Sequence, residues 1–189
     1  MGAACASGLT VFSPNLKDHP VKVLIVGKPS TGKTFLLYSW KYGVDAILSV
    51  EPTSHFNVDT ITTQSGRKIL VYDLAGNIGL RMRPFLEGTN GVVYMLGLYG
   101  RDDFLQEDEM IFLQQLLQER DLENAPFLFV IRKEGNENEA HQDLLDRLQQ
   151  CLKQRVWDLV EIRSRNQEDA NLVLTVLEDL LNNTTNAES

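Results

Sequence analysis

The sequence predicts an α/β fold: a mostly parallel six-stranded sheet with one antiparallel edge strand and helices on both faces. Three observations lead there. Short, β-branched apolar runs such as "VKVLIVG" (21–27), "GVVYMLGL" (91–98) and "PFLFVIR" (126–132) alternate with stretches of helical period. Two strand-like segments flank the short turn Ser65-Gly66 and form a hairpin. A glycine-rich stretch, "VGKPSTGKT" (26–34), joins the first apolar run directly to the first helical one.

Taken in order, residues 1–19 form an extension rich in small residues, in which Pro14 prevents one continuous helix. Residues 21–27 are apolar almost throughout, as a strand covered on both faces must be. "KTFLLYSWKYG" (33–43) reads as a helix stopped at Gly43. "FNVDTITT" (56–63) alternates and so has one wet face, and "RKILVYDLAG" (67–76) returns beside it. After the strand at 91–98, "QEDEMIFLQQLLQERD" places Met110, Ile111, Leu113, Leu116 and Leu117 at helical spacing. The strand at 126–132 precedes "HQDLLDRLQQCLKQRV", which lines up Leu144, Leu145, Leu148 and Leu152. "WDLVEIRS" is the last strand, and "EDANLVLTVLEDLLNN" the closing helix. The domain is expected to span 20–182, with a frayed polar tail at 183–189.

The 189 residues suffice for one domain with a sizeable core. Eighteen Lys and Arg against 26 Asp and Glu leave a formal charge of −8, which argues against a nucleic-acid partner. Cys5 and Cys151 are too few for a disulfide framework or a zinc cluster, and they favour a reducing, cytoplasmic setting. No apolar run is long enough to span a bilayer, and "MGAACASGLTVF" lacks the basic start of a secretory signal. His19, His55 and His141 are scattered, with no pair at metal-ligand spacing.

Gly27 to Thr34 match G-x-x-x-x-G-K-[ST], with a strand before and a helix after. Gly27 and Gly32 allow torsions that turn peptide N–H groups toward an anion, and the helix start adds its dipole. The loop residues Lys28, Pro29, Ser30 and Thr31 complete the cradle, although Pro29 has no N–H to give. Lys33 is placed to meet β- and γ-phosphates, and the Thr34 hydroxyl to ligate Mg²⁺.

The order of "PTSHFNVDTI" (52–61) and then "VYDLAGN" (71–77) after this loop resembles the Arf-like branch of small GTPases, within the Ras superfamily of P-loop NTPases. The resemblance covers about 20–180 and is specific in the first half of the chain. It implies a small G domain acting as a molecular switch on GTP and GDP with Mg²⁺. By that resemblance Thr53 completes the Mg²⁺ shell and touches the γ-phosphate. Asp73 holds the ion through a water, and Gly76 offers its N–H to the γ-phosphate. Phe56, Tyr72 and Phe85 either form the apolar patch shown to effectors or are plain core. Exchange factors, GTPase-activating proteins and a monomeric state are also implied.

The sequence departs from that pattern at four places. Asn77 stands where the family has the water-orienting Gln, one methylene shorter, a loss of reach that can cost about 10²-fold in rate. In "IRKEG" (131–135), Arg132 and Gly135 replace the Asn and Asp of the family's base-reading N-K-x-D, while Lys133 matches. Losing one charge-assisted contact costs roughly 1.5–3 kcal/mol of base affinity. Ser164 alone stands for the motif that gives a backbone donor to guanine. The stretch from Asn77 to Gly91 is about two residues shorter than the family's. Weak hydrolysis is therefore expected. The alternative is a pseudo-GTPase, an interaction module with degraded guanine specificity and little turnover. A small nucleotide kinase is disfavoured, because Arg81 and Arg83 are not followed by an arginine-rich lid. Gly2 partly fits the myristoylation pattern and Cys5 offers a second acylation site, which would place the chain on the cytosolic face of a membrane.

Overall fold

The structure is a computed structural model that describes residues 20–76, 79–99, 107–133 and 139–187. Six strands form one sheet: β1 (Val21–Gly27), β2 (Phe56–Thr62), β3 (Lys68–Leu74), β4 (Gly91–Tyr99), β5 (Phe127–Lys133) and β6 (Trp157–Ile162). They lie in the order β2-β3-β1-β4-β5-β6. Only the β2–β3 pair is antiparallel; the other pairs run parallel. The predicted architecture, one antiparallel edge strand included, is the observed one.

Burial explains the sequence patterns. β1 sits between β3 and β4, and Val23, Leu24, Ile25 and Val26 are all buried, so neither face tolerates polarity. β2 pairs on one side only, and along it Phe56 and Val58 stay exposed while Ile61 is buried. Four helices cover the sheet: α1 (Lys33–Tyr42), α2 (Glu107–Gln118), α3 (Glu139–Leu152) and α4 (Gln167–Ala187). On one face, Leu36 and Leu37 of α1 and Val173, Leu177 and Leu181 of α4 pack on β1, β3 and β5. On the other, Leu113 and Leu116 of α2 and Leu144, Leu148 and Leu152 of α3 cover Leu24, Tyr94, Phe127 and Phe129. Trp40 ties α1 to α4 by donating Nε1–H to the Ala170 carbonyl at 2.7 Å.

Two segments differ from the sequence-based expectation. The closing helix runs on to Ala187, through the stretch expected to fray, and Thr184 continues it by bonding back to the Leu180 carbonyl. Residues Gly79–Phe85, left without an element by their lack of period, form 3-10 turns. These turns press Met82, and Leu86 just after them, into the core.

Candidate functional site

The carboxyl ends of β1 and β3 and the start of α1 meet at one place, where open α/β sheets bind ligands. Gly27 ends β1 with φ 136°, and a Cβ there would lie 2.3 Å from the Met95 carbonyl oxygen, so only glycine fits. The chain then turns through Ser30, itself at φ 63°, and enters α1 from Gly32 at φ 99°. No side chain caps α1, and its first turn holds no acid. Its N-terminal amides therefore keep their capacity for an anion.

Pro29, Ser30, Gly32, Lys33 and Thr34 line a cavity of about 330 Å³, closed on the other side by Val50, Glu51, Pro52, Thr53 and Gly76. Lys33 is buried, and its ammonium donates to the carbonyls of Gly27 at 3.0 Å and Lys28 at 2.6 Å. Burial lowers its pKa to about 8, against a smaller opposing pull from Asp73. A cation desolvated this far, with only carbonyl dipoles in direct contact among the described residues, is poised to gain from an anion in the cavity.

Below the cavity, Asp73 of β3 is fully buried. Its Oδ2 accepts from Thr34 Oγ1 at 2.7 Å, Thr53 Oγ1 at 3.2 Å and Asn57 Nδ2 at 2.9 Å. The two threonine hydroxyls are 2.7 Å apart. Asp73 Oδ1 has no hydrogen-bond partner among the described residues. A buried carboxylate with an orphaned oxygen is costly unless a cation answers it. A carboxylate with two hydroxyls beside a polyphosphate-sized cavity is a donor set for a hard, oxygen-seeking ion such as Mg²⁺. The residues present therefore fit the implied metal.

Gly76 packs against the loop itself: a Cβ there would lie 2.2 Å from the Pro29 nitrogen and 2.5 Å from the Lys28 carbonyl carbon. The Lys28 side chain does not line the cavity. Its ammonium sits 3.4 Å from both Asp108 and the buried Glu109 of α2, so it ties the loop to that helix. Thr31 turns its hydroxyl to the Lys28 carbonyl at 3.0 Å.

The expected base-reading residues gather elsewhere. Arg132, half-buried at the end of β5, and Ser164, just after β6, line a second void of about 30 Å³ beside the first cavity. Ser164 is already committed: its N–H and hydroxyl both turn to Asp169 Oδ2, at 2.8 and 3.3 Å. Lys133 ends β5, in register with Tyr99 of β4. Asn77, Gly2 and Cys5 lie outside the described residues.

Phe56, Tyr72 and Phe85 form one ring cluster, with centroids 4.8 to 6.5 Å apart. Phe56 is 45% exposed, while Tyr72 and Phe85 rest on the core. The trio thus has one exposed ring resting on two rings packed against the core.

Sequence reasoning assigned no role to Asn57, Phe35 or Arg165. Asn57 had a usable signal: a hairpin turning at Ser65-Gly66 places it opposite Asp73, as the register confirms. The other two meet only in the fold, where the Arg165 guanidinium lies 5.5 Å from the centre of the Phe35 ring. At the other end of the sheet, an open groove of about 1150 Å³ runs past Ala125, Cys151 and Arg155.

Comparison with known proteins agrees with this geometry. The structure of the Arl6 (BBS3) small GTPase from Trypanosoma brucei, solved with the bound nucleotide analogue GppNp, superposes with a TM-score of 0.73 at 15% identity, covering 88% of this chain and 99% of that one. It shares the small G domain fold. The family model of the ADP-ribosylation factor family matches residues 9–181. With its loop, its acid and its threonines in place on that fold, the chain belongs to the ADP-ribosylation factor family of small GTPases.

Proposed function

We propose that this protein is a Mg²⁺-dependent guanine-nucleotide switch with slow intrinsic hydrolysis. One observation carries the reading: the orphaned oxygen of buried Asp73, set beside the Thr34 and Thr53 hydroxyls under a cavity bounded by Lys33 and the free amides of α1. The analogue bound to the trypanosomal relative supports the same ligand class.

In this reading Lys33 and the loop amides hold the β- and γ-phosphates. Thr34, Thr53 and Asp73 hold Mg²⁺, which supplies charge neutralisation of the phosphates. Thr53 and Gly76 border the cavity from two separate segments. Loss of a γ-phosphate therefore removes a shared anchor and frees both segments, the usual logic of such switches. Asn77 in place of a longer carboxamide keeps turnover slow. The cluster of Phe56, Tyr72 and Phe85 serves effectors, and exchange factors and GTPase-activating proteins act on the two freed segments. Acylation at Gly2, aided by Cys5, brings the protein to the cytosolic face of a membrane.

Titration of the protein with GTP and Mg²⁺, followed by single-turnover hydrolysis, tests this. Saturable binding with cleavage slower than about one per minute is expected, in keeping with small GTPases lacking their activating partner. Binding with no cleavage at all would select the pseudo-GTPase instead, and no binding would remove both.

A further inference from the structure

A buried carboxylate stands on α2, away from the cavity. Glu109 lies one helical turn before Leu113, on the face that packs against the sheet, and its side chain is 2% exposed. A carboxylate so placed calls for a cation, and the phosphate loop supplies one: the Lys28 ammonium, 3.4 Å from Glu109 Oε2 and equally far from Asp108 Oδ1. The two acids differ. Asp108 is exposed, and its Oδ1 also accepts the Glu109 amide at 2.9 Å, so water screens its pairing with Lys28. Glu109 is screened far less and holds the lysine from inside the fold. Burial, and after it the charge of Glu109, raise the pKa of the Tyr94 phenol, which sets that charge near β4, the strand beside β1.

Lys28 is a junction. Its side chain reaches α2, while its main chain borders the nucleotide site. Its carbonyl accepts the Lys33 ammonium at 2.6 Å and the Thr31 hydroxyl at 3.0 Å. Its carbonyl carbon would lie 2.5 Å from a Cβ on Gly76. Pinning the side chain restrains the peptide that carries this carbonyl. The placing of Lys33 and of the amides that follow depends on that peptide, as binding groups depend on the residues that support them.

We infer that Glu109 is a positioning residue for polyphosphate binding: through Lys28 it fixes the phosphate loop from the face of the sheet opposite α1. It acts through the lysine and the loop rather than on the phosphates. This inference rests on the nucleotide-binding reading above and adds to it a residue outside the loop motif.

The test measures dissociation constants of the full chain for GTP and for inorganic tripolyphosphate, both with Mg²⁺, in wild type, Glu109→Gln, Lys28→Met and the double variant. Glu109→Gln keeps the side-chain shape and leaves a lysine that is partly exposed and able to reach water. It should weaken both ligands at least about threefold and to the same degree, because the loop holds phosphates and not the base. Lys28→Met should weaken them too, and the double variant should lose less than the product of the two single losses, since both changes break one pair. The double variant also keeps the test readable if a single variant fails to fold, for it too should bind both ligands at least about threefold more weakly. The phosphorus NMR resonance of the β-phosphate in bound GTP should shift in Glu109→Gln, a change that a mere loss of stability does not produce. A lowered melting temperature with affinities within about threefold of wild type overturns the inference. So do a loss confined to GTP, single losses that multiply in the double variant, and an unmoved resonance. Tighter binding in Glu109→Gln overturns it as well, by showing that Lys28 acts through its charge on the phosphates. Failure of the wild type to bind either ligand overturns the nucleotide-binding reading itself.

Discussion

Lys33 carries the sharpest residue-scale consequence. Its ammonium is desolvated against carbonyls, with a pKa lowered to about 8. An unfolded lysine titrates near 10.4. Between these two values the unfolded chain binds the extra proton, so the ligand-free protein gains stability as pH rises from about 8 toward 10. A polyphosphate restores the charged form. Nucleotide binding at pH 8.5 should therefore take up roughly three quarters of a proton, against little uptake at pH 6.5. Calorimetry in buffers of different ionisation enthalpy reads this directly, and Lys33→Met should abolish it. Thr53 and Asp73 were expected through the family resemblance, and the fold does bring their side chains to Thr34; the positions of Lys33 and Thr34 were legible from spacing around the loop. Lys28 was not: its motif position is in the cradle, but its side chain answers the acids of α2. A motif fixes where a backbone runs, while a long side chain goes where burial and charge send it.

At the scale of elements, the contrast between two helix starts carries the argument. α4 is capped from within: Asn166 Oδ1 accepts the Asp169 amide at 2.7 Å, and Asp169 turns back onto the residues ahead of the helix. α1 begins at a left-handed glycine with no cap and no acid. An uncapped start costs about 1 kcal/mol in an ordinary helix, and here it leaves a place for an anion. The loop after β3 is fitted to the phosphate loop just as closely, since a Gly76 Cβ would sit 2.2 Å from backbone. Neither backbone can yield cheaply. Gly76→Ala should push the two loops apart, destabilising the protein by about 1–3 kcal/mol in urea unfolding and weakening nucleotide binding in the same variant. An unchanged urea midpoint would show that the contact is slack. The strands and helices were readable from period and turn chemistry. The 3-10 turns at Gly79–Phe85 were not, because seven residues with Pro84 among them have no period to detect.

The whole molecule divides its core between the two faces of the sheet, with α1 and α4 on one and α2 and α3 on the other. α1 therefore both supports the sheet and borders the cavity at the end of β1. Leu37 is fully buried three residues beyond Thr34. Leu37→Ala should cost about 2–5 kcal/mol, which for a domain of this size lowers the melting temperature by roughly 4–20 °C. Part of that loss should return on saturation with nucleotide and Mg²⁺, since a ligand at about 100 times its dissociation constant adds about 2.7 kcal/mol. The mostly parallel sheet with its one antiparallel edge strand was legible because alternating strands and helices, plus one hairpin, admit few connections. The contact of Arg165 with Phe35 was not, because the two are 130 positions apart and only the fold brings them together.

The account turns on Asp73 as the anchor of a divalent ion beneath the phosphates. The most direct measurement is GTP affinity with saturating Mg²⁺ and with EDTA, in wild type and in Asp73→Asn, which keeps the side-chain shape and removes the charge. Wild type should lose affinity by about tenfold or more in EDTA, and Asp73→Asn should bind GTP weakly and equally in both conditions. Wild-type affinity that ignores Mg²⁺, or an Asp73→Asn variant that keeps the full Mg²⁺ response, would contradict it.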